Sequence, residues 1–322
     1  MKRRLLSLLL VLSLVVATMM TPANAAAKTD AAATAYEETL AFAKSNVNPV
    51  VGSEWDIMLL KKSNVTDCGT IFWKYKNFLG YKIGNGSLNA KNIKVTDAAR
   101  MALTVTALGL PAWKVPGKNG KKLNILMPLA DYNTVTGAGI NAVIWALIAL
   151  DTGNYAMPNN PANTKKITKI DYVNAILNSE FEGGGFGWDP AWGADPDLTA
   201  MAIVALSPYK HFKKVDAAIN RALDVLAAAQ LEDGSIASFG TGNSDSTAWA
   251  IIALSTLGID ADTDERFVKG ENSLIDGLMK FYLGEGKFEW AGDGYNAYST
   301  TESLEALHSY FAFKNGKAPL FK

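Results

Sequence analysis

The 322 residues are 49% hydrophobic and 19% charged, with 31 basic and 31 acidic side chains. This balance suits a globular chain with a large core and excludes extended disorder and the basic footprint of a nucleic-acid binder. Cys68 is the single cysteine, so no intrachain disulfide can form and stability must come from burial.

At the N-terminus Lys2, Arg3 and Arg4 precede an apolar run from Leu5 to about Met20, followed by Thr21-Pro22-Ala23-Asn24-Ala25. A basic start, a short apolar run and an A-x-A site predict a secretory signal peptide over residues 1–25, with an uncleaved anchor helix as the competing reading. Cleavage leaves residues 26–322 as a single domain with 28 basic and 31 acidic groups, a net charge of −3. No later apolar stretch is long enough to span a bilayer. The expected location is therefore outside the cytoplasm, secreted or associated with the cell envelope.

Six apolar helical segments then recur, beginning at residues 53, 96, 140, 195, 244 and 299. The spacing of 43 to 55 residues gives one helix pair per repeat. Ser53-Glu54-Trp55-Asp56, Thr96-Asp97-Ala98 and Ile140-Asn141-Ala142 open the first three. Asp195-Pro196-Asp197-Leu198-Thr199-Ala200, Ser244-Asp245-Ser246-Thr247-Ala248-Trp249 and Ser299-Thr300-Thr301-Glu302 open the rest. Several segments are apolar almost all round and rich in Ala, which predicts helices buried on more than one side. Asp, Ser and Thr at the starts suit N-caps, a role that also competes for Asp197, while Gly109, Gly153 and Gly258 suit the ends.

More charged, amphipathic stretches lie between: Thr29 to Ser45, Gly69 to Tyr81, Leu123 to Tyr132, Lys169 to Asn178, Lys214 to Gln230 and Asn272 to Leu283. Their apolar residues recur at i, i+3, i+4 and i+7, most plainly from Val215 to Leu226, and predict outer helices. The class is all-α. Periodicity alone leaves a closed ring and an open solenoid both standing.

The connecting loops carry a resemblance. Glu182-Gly183-Gly184-Gly185-Phe186-Gly187-Trp188, Gln230-Leu231-Glu232-Asp233-Gly234-Ser235 and Gly284-Glu285-Gly286-Lys287-Phe288-Glu289-Trp290 resemble the degenerate Q-x-x-x-G-x-W repeats of the terpenoid cyclase and protein prenyltransferase toroid superfamily. Squalene-hopene cyclase-like repeat proteins, including secreted bacterial ones, are similar in the same way. The resemblance covers nearly all of residues 26–322 and implies an α6/α6 toroid of six inner and six outer helices. The glycines would permit the turns and the aromatics would fill the gaps between helix pairs.

The family's general acid lies in an Asp-x-Asp-Asp-Thr-Ala motif. By resemblance Asp197 stands at the acid position and Asp195 at the first aspartate, while Leu198 replaces the third. The zinc-binding pattern of protein prenyltransferases is not followed by Cys68, His211 and His308, so neither metal nor cofactor is expected, and two histidines argue against a Ser-His-Asp hydrolase. In a toroid the acidic helix starts, Glu54, Asp56, Asp97, Asp195, Asp197, Asp245 and Glu302, would share one mouth with Trp145, Trp188, Trp192 and Trp249, the kind of acidic and aromatic concavity that holds a small molecule. The competing reading makes each acid a private cap. The leading expectation is a secreted toroid binding a small apolar, terpenoid-like or corrinoid-like ligand without a complete catalytic set. The alternatives are a class II terpenoid cyclase-like enzyme using Asp197, a paired-carboxylate glycosidase or lyase, and a cell-surface interaction module.

Overall fold

The computed structural model describes residues 30–321; the expected signal peptide lies outside them. The architecture is all-α, with twelve helices among the described residues. They are α1 (30–46), α2 (Glu54–Lys62), α3 (Gly69–Gly84), α4 (Val95–Ala107), α5 (Tyr132–Gly137), α6 (Ile140–Thr152), α7 (Lys169–Leu177), α8 (Pro196–Leu206), α9 (Lys213–Ala229), α10 (Ser244–Leu257), α11 (Leu274–Met279) and α12 (Ala297–Lys314). Three short antiparallel hairpins interrupt the connections: β1–β2 (Val115–Pro116, Lys122–Leu123), β3–β4 (Ile236–Ser238, Thr241–Asn243) and β5–β6 (Tyr282–Gly284, Lys287–Phe288). No described helix is long and apolar enough to cross a membrane.

The even-numbered helices match the six apolar segments. In α6 every residue from Ala142 to Leu150 is buried, and in α10 every residue from Ser246 to Ser255. Such helices have no solvent face to pattern, which explains their uniform hydrophobicity. The odd-numbered helices bury one stripe. In α9 it is Val215, Ala218, Ile219, Ala222, Leu223 and Leu226, and in α1 it is Ala32, Ala35, Thr39, Leu40 and Ala43. Each fully buried Leu or Ile contributes on the order of 2 kcal/mol. The even helices pack in succession, α2 on α4, α4 on α6, α6 on α8, α8 on α10 and α10 on α12, and α12 packs in turn on α2.

The Gly-rich loops have a common construction. The amide of Phe186 donates to Thr199 Oγ1 at 3.0 Å, that of Ile236 to Thr247 Oγ1 at 2.9 Å, and that of Phe288 to Thr300 Oγ1 at 2.9 Å. Phe186, Ile236 and Phe288 are themselves fully buried. Each threonine stands four residues after the N-cap of α8, α10 or α12, so one hydroxyl in the second turn anchors the preceding loop and satisfies an amide that burial would otherwise orphan. Gln230 Nε2 donates to the carbonyl oxygens of Gly234 and Phe267 at 3.1 and 2.9 Å.

The glycines are required by close approach. Gly234 has φ +87°, and a Cβ there would strike the carbonyl of Ser273 at the start of α11. Gly286, at φ +74°, meets Glu38 of α1 in the same way. The last loop therefore touches the first helix as the preceding loop touches α11. An ion pair repeats the pattern, with Arg221 on Glu180 at 2.7 Å and Lys280 on Asp233, while Tyr282 donates to Glu38.

One predicted outer helix is displaced. Leu123 to Tyr132 begins in β2, and Pro128 opens a 3-10 turn. Helix α5 starts only at Tyr132, after Asp131 accepts the Thr134 amide at 3.2 Å. Proline lacks the amide a continuous helix needs and disfavours helical geometry in the residue before it, and an aspartate cap resets the start three residues later.

Candidate functional site

The first turns of α2, α8 and α10 and the second and third turns of α12 bring five carboxylates together: Asp56, Asp197, Asp245, Glu302 and Glu305. Glu305 is fully buried, and the other four are half-buried, keeping some contact with solvent. Thr301 Oγ1 donates to Asp56 Oδ1 at 3.1 Å, and Ser244 Oγ to Asp245 Oδ1 at 3.0 Å. Ser246, Ser299 and Trp249 lie beside Asp197, Asp245 and Glu302, near enough to favour the ionised acid. They stop short of hydrogen-bond geometry. Among the described residues Asp197 Oδ1, Glu305 Oε1, Ser246 Oγ, Ser299 Oγ, Ser303 Oγ and Trp249 Nε1 are buried without a hydrogen-bond partner. Buried polar atoms are otherwise almost always paired, and here Ser246, Ser299 and Trp249 face Asp197, Asp245 and Glu302 as their nearest partners.

Every acid in the group is pushed up. Burial drives Asp197 to about 7, reinforced by the charges of Asp195 and Asp245. Burial, with Asp56 adding to it, drives Glu305 to about 8. Glu302 is held well above the ordinary carboxylate range by burial and then by Asp245, Glu305 and Asp197. Asp56 and Asp245 are raised mainly by burial. Among the described residues none of the five takes part in an ion pair. Among the described residues no group of three His, Cys, Asp or Glu is arranged to hold a metal ion. The carboxylates are close enough to feel one another's charge.

Three tryptophans adjoin the acids. Trp55 and Trp145 have ring centroids 5.0 Å apart, and Trp145 meets Trp249 edge-on at 5.7 Å. Phe321 enters from the far end of the helices and lies parallel to Trp249 at 6.4 Å.

The residues singled out from sequence divide into four groups. Asp56, Asp197, Asp245, Glu302, Trp145 and Trp249 fall in or against the acid group. Asp195 is the N-cap of α8, its Oδ1 accepting the Leu198 amide at 2.9 Å. The capping role considered for Asp197 therefore belongs to Asp195: Pro196 occupies the first helical position, and Asp197 lies inside the first turn. Glu54 and Asp97 share Arg100, at 2.9 Å each. Glu54 is fully buried and also takes the Tyr75 hydroxyl at 3.1 Å and the Gly52 amide at 2.8 Å, so both its oxygens are occupied by protein. Trp188 and Trp192 are 59% and 65% exposed and stand with Phe239 around a separate cavity of about 140 Å3. The sequence reading passed over Glu305, Trp55, Phe321 and the three serines. Glu305 had a signal, a charged residue one turn beyond Glu302 on a helix apolar enough to be buried.

No family model and no curated protein matches the chain.

Proposed function

We propose that the protein is an exported α6/α6 toroid that binds a small organic molecule at the mouth formed by the starts of its even-numbered helices. The toroid reading is supported by the packing of α12 back on α2, as a closed inner ring requires, and by the approach of Gly286 to α1. Export rests on the leader composition alone. The binding reading rests on one observation: five acids without a cationic partner stand together, with Trp249 against Glu302 and Trp55 and Trp145 packed beyond it. Burying acids without partners costs stability, and a fold keeps such a cost where a ligand repays it. The ligand has an apolar body facing the tryptophans and hydrogen-bonding or cationic groups facing the carboxylates. This narrows the expectation of a small apolar, terpenoid-like or corrinoid-like ligand to one that also carries polar or cationic groups.

The second reading makes Asp197 a cyclase-like general acid, favoured by its release from capping and its unpartnered Oδ1. Protonating an alkene needs an acid stronger than an ordinary carboxyl. Burial moves Asp197 from 3.8 to about 7, which weakens it as a proton donor by about three powers of ten. The direction of the shift favours binding over cyclisation.

Native mass spectrometry of the mature protein from its own host tests the proposal. A co-purifying molecule of defined mass, lost from the Asp197→Asn, Glu302→Gln double variant, is the expected result. Protein without a bound species, or retention of the species by the variant, would overturn it.

A further inference from the structure

Charge is not spread evenly along the chain. Between Asp67 and Asp131 the sequence holds ten basic side chains and a single acid, Asp97, although the whole chain has as many acids as bases. Asp97 is taken by Arg100, the one arginine of the stretch, which Glu54 also binds. The other nine bases are lysines, and among the described residues none of them is in an ion pair. Helix α3 carries three of them, and the β1–β2 hairpin with its flanks carries Lys114, Lys118, Lys121 and Lys122. Hairpin and helix are in direct contact: a Cβ on Gly84 would strike Lys118, and one on Gly117 would strike Ile83. Large rings are exposed on the same two elements. Trp73 and Tyr81, two turns apart along α3, are 63% and 54% exposed, and Trp113, just before β1, is 53% exposed. Lys118 lies over Tyr81 at 5.8 Å and Lys114 over Trp113 at 5.5 Å, contacts that leave each ammonium its charge.

We propose that α3 and the β1–β2 hairpin form a docking face for the surface of an anionic lipid bilayer. Lysines interleaved with exposed tryptophan and tyrosine match the two layers that such a surface offers: charged head groups for the ammonium groups, and the interfacial zone for rings with one apolar and one polar end. Attraction to a negative leaflet accumulates over lysines that need no fixed partner. A point charge on a flexible stem suits that diffuse array. Recognition of one defined phosphate or of a nucleic acid favours the planar fork of arginine, and the only arginine of the stretch is held by Glu54 and Asp97. The exposed Trp188 and Trp192 lie in different company, since residues 181–195 include three acids and no base. They are not part of this face. The close glycine contacts hold the hairpin on the helix, so the face is preformed. This inference is independent of the acidic mouth.

Co-sedimentation of the mature protein with phosphatidylcholine vesicles, with and without about a third of phosphatidylglycerol, tests it. Binding about tenfold or more tighter to the anionic vesicles is expected, falling as added salt screens the lysines. Lys118, Lys121 and Lys122 are exposed, so changing all three to Glu should retain the fold by circular dichroism yet weaken binding by about tenfold or more. The same change at Lys213 and Lys214, exposed on α9, should leave binding unchanged. Trp113→Ser should weaken binding with the charge untouched. Equal binding to both vesicles, an unaffected triple or Trp113→Ser variant, an equal loss from the α9 variant, or tighter binding to a single-stranded oligonucleotide than to the anionic vesicles would overturn the proposal.

Discussion

The two ends of the even-numbered helices hold charge of opposite sign. Where the helices begin stand Asp56, Asp197 and Asp245; where α2 and α12 end stand Lys62 and, just beyond, Lys317. The helix macrodipole favours this sorting by about 0.3–1 kcal/mol per charge. Burial outweighs it at both ends: the acids are pushed up despite helix N-termini, and Lys62 is pushed down despite a helix C-terminus. The result differs in one respect. Near pH 7 Asp197 is poised between neutral and ionised, whereas Lys62 remains a cation. Glu54 supplies the contrast within one helix, because Arg100, Tyr75 and Gly52 occupy it fully. It is a structural acid; its neighbour Asp56 is not.

The comparison can be broken most forcefully at the partition between the ends, where Trp249 touches Glu302 on one side and Phe321 on the other. Trp249→Ala should lose about 3–5 kcal/mol in chemical denaturation, because it leaves a large cavity among Trp145 and Phe321. A loss below 1 kcal/mol would mean that the two ends are not joined by a packed core.

Glu305 sharpens the acidic side. Its folded pKa of about 8 lies above its ordinary value of 4.5, so the folded state holds the proton more tightly than the unfolded chain. Its contribution is fully present below about pH 4.5 and is lost as pH rises through 8. Glu305→Gln should match the parent near pH 5 and exceed it at pH 8 by on the order of 2–4 kcal/mol. Equal stability of the two proteins at pH 8 would show that Glu305 has an unseen partner.

Smaller effects test the scaffold below the mouth. Thr247→Val should cost about 1–3 kcal/mol by leaving the buried Ile236 amide without its acceptor. Asp195→Ala should cost about 1 kcal/mol through the lost cap. Asp197→Asn should show no such capping loss in the same thermal melts. Were the costs reversed, Asp197 would be the cap after all.

The six buried helices were legible because a helix covered on all sides needs apolar residues throughout, and the Gly-rich loops were legible because close backbone approach admits no side chain. The third outer helix was misread because Leu123 to Tyr132 has helical periodicity, and its breaks depend on Pro128 and on β2 pairing with β1. The division of the acids was only partly open to sequence reasoning. Pro196 at the first helical position marks Asp195 as the cap. Nothing near Glu54 in the chain announces that Arg100, 46 residues later, will neutralise it. Partnering across helices is a tertiary fact, and so is the insertion of Phe321 against Trp249.

The binding proposal needs carboxylates held at the mouth without cationic partners, and a carboxyl-carbon NMR titration of the mature protein examines that most directly. A resonance absent from Asp197→Asn should titrate near pH 7, displaced by the burial and neighbouring acids described above. If that resonance titrates near pH 4, Asp197 is solvated or paired like an ordinary surface carboxylate, and the mouth is not the site proposed here.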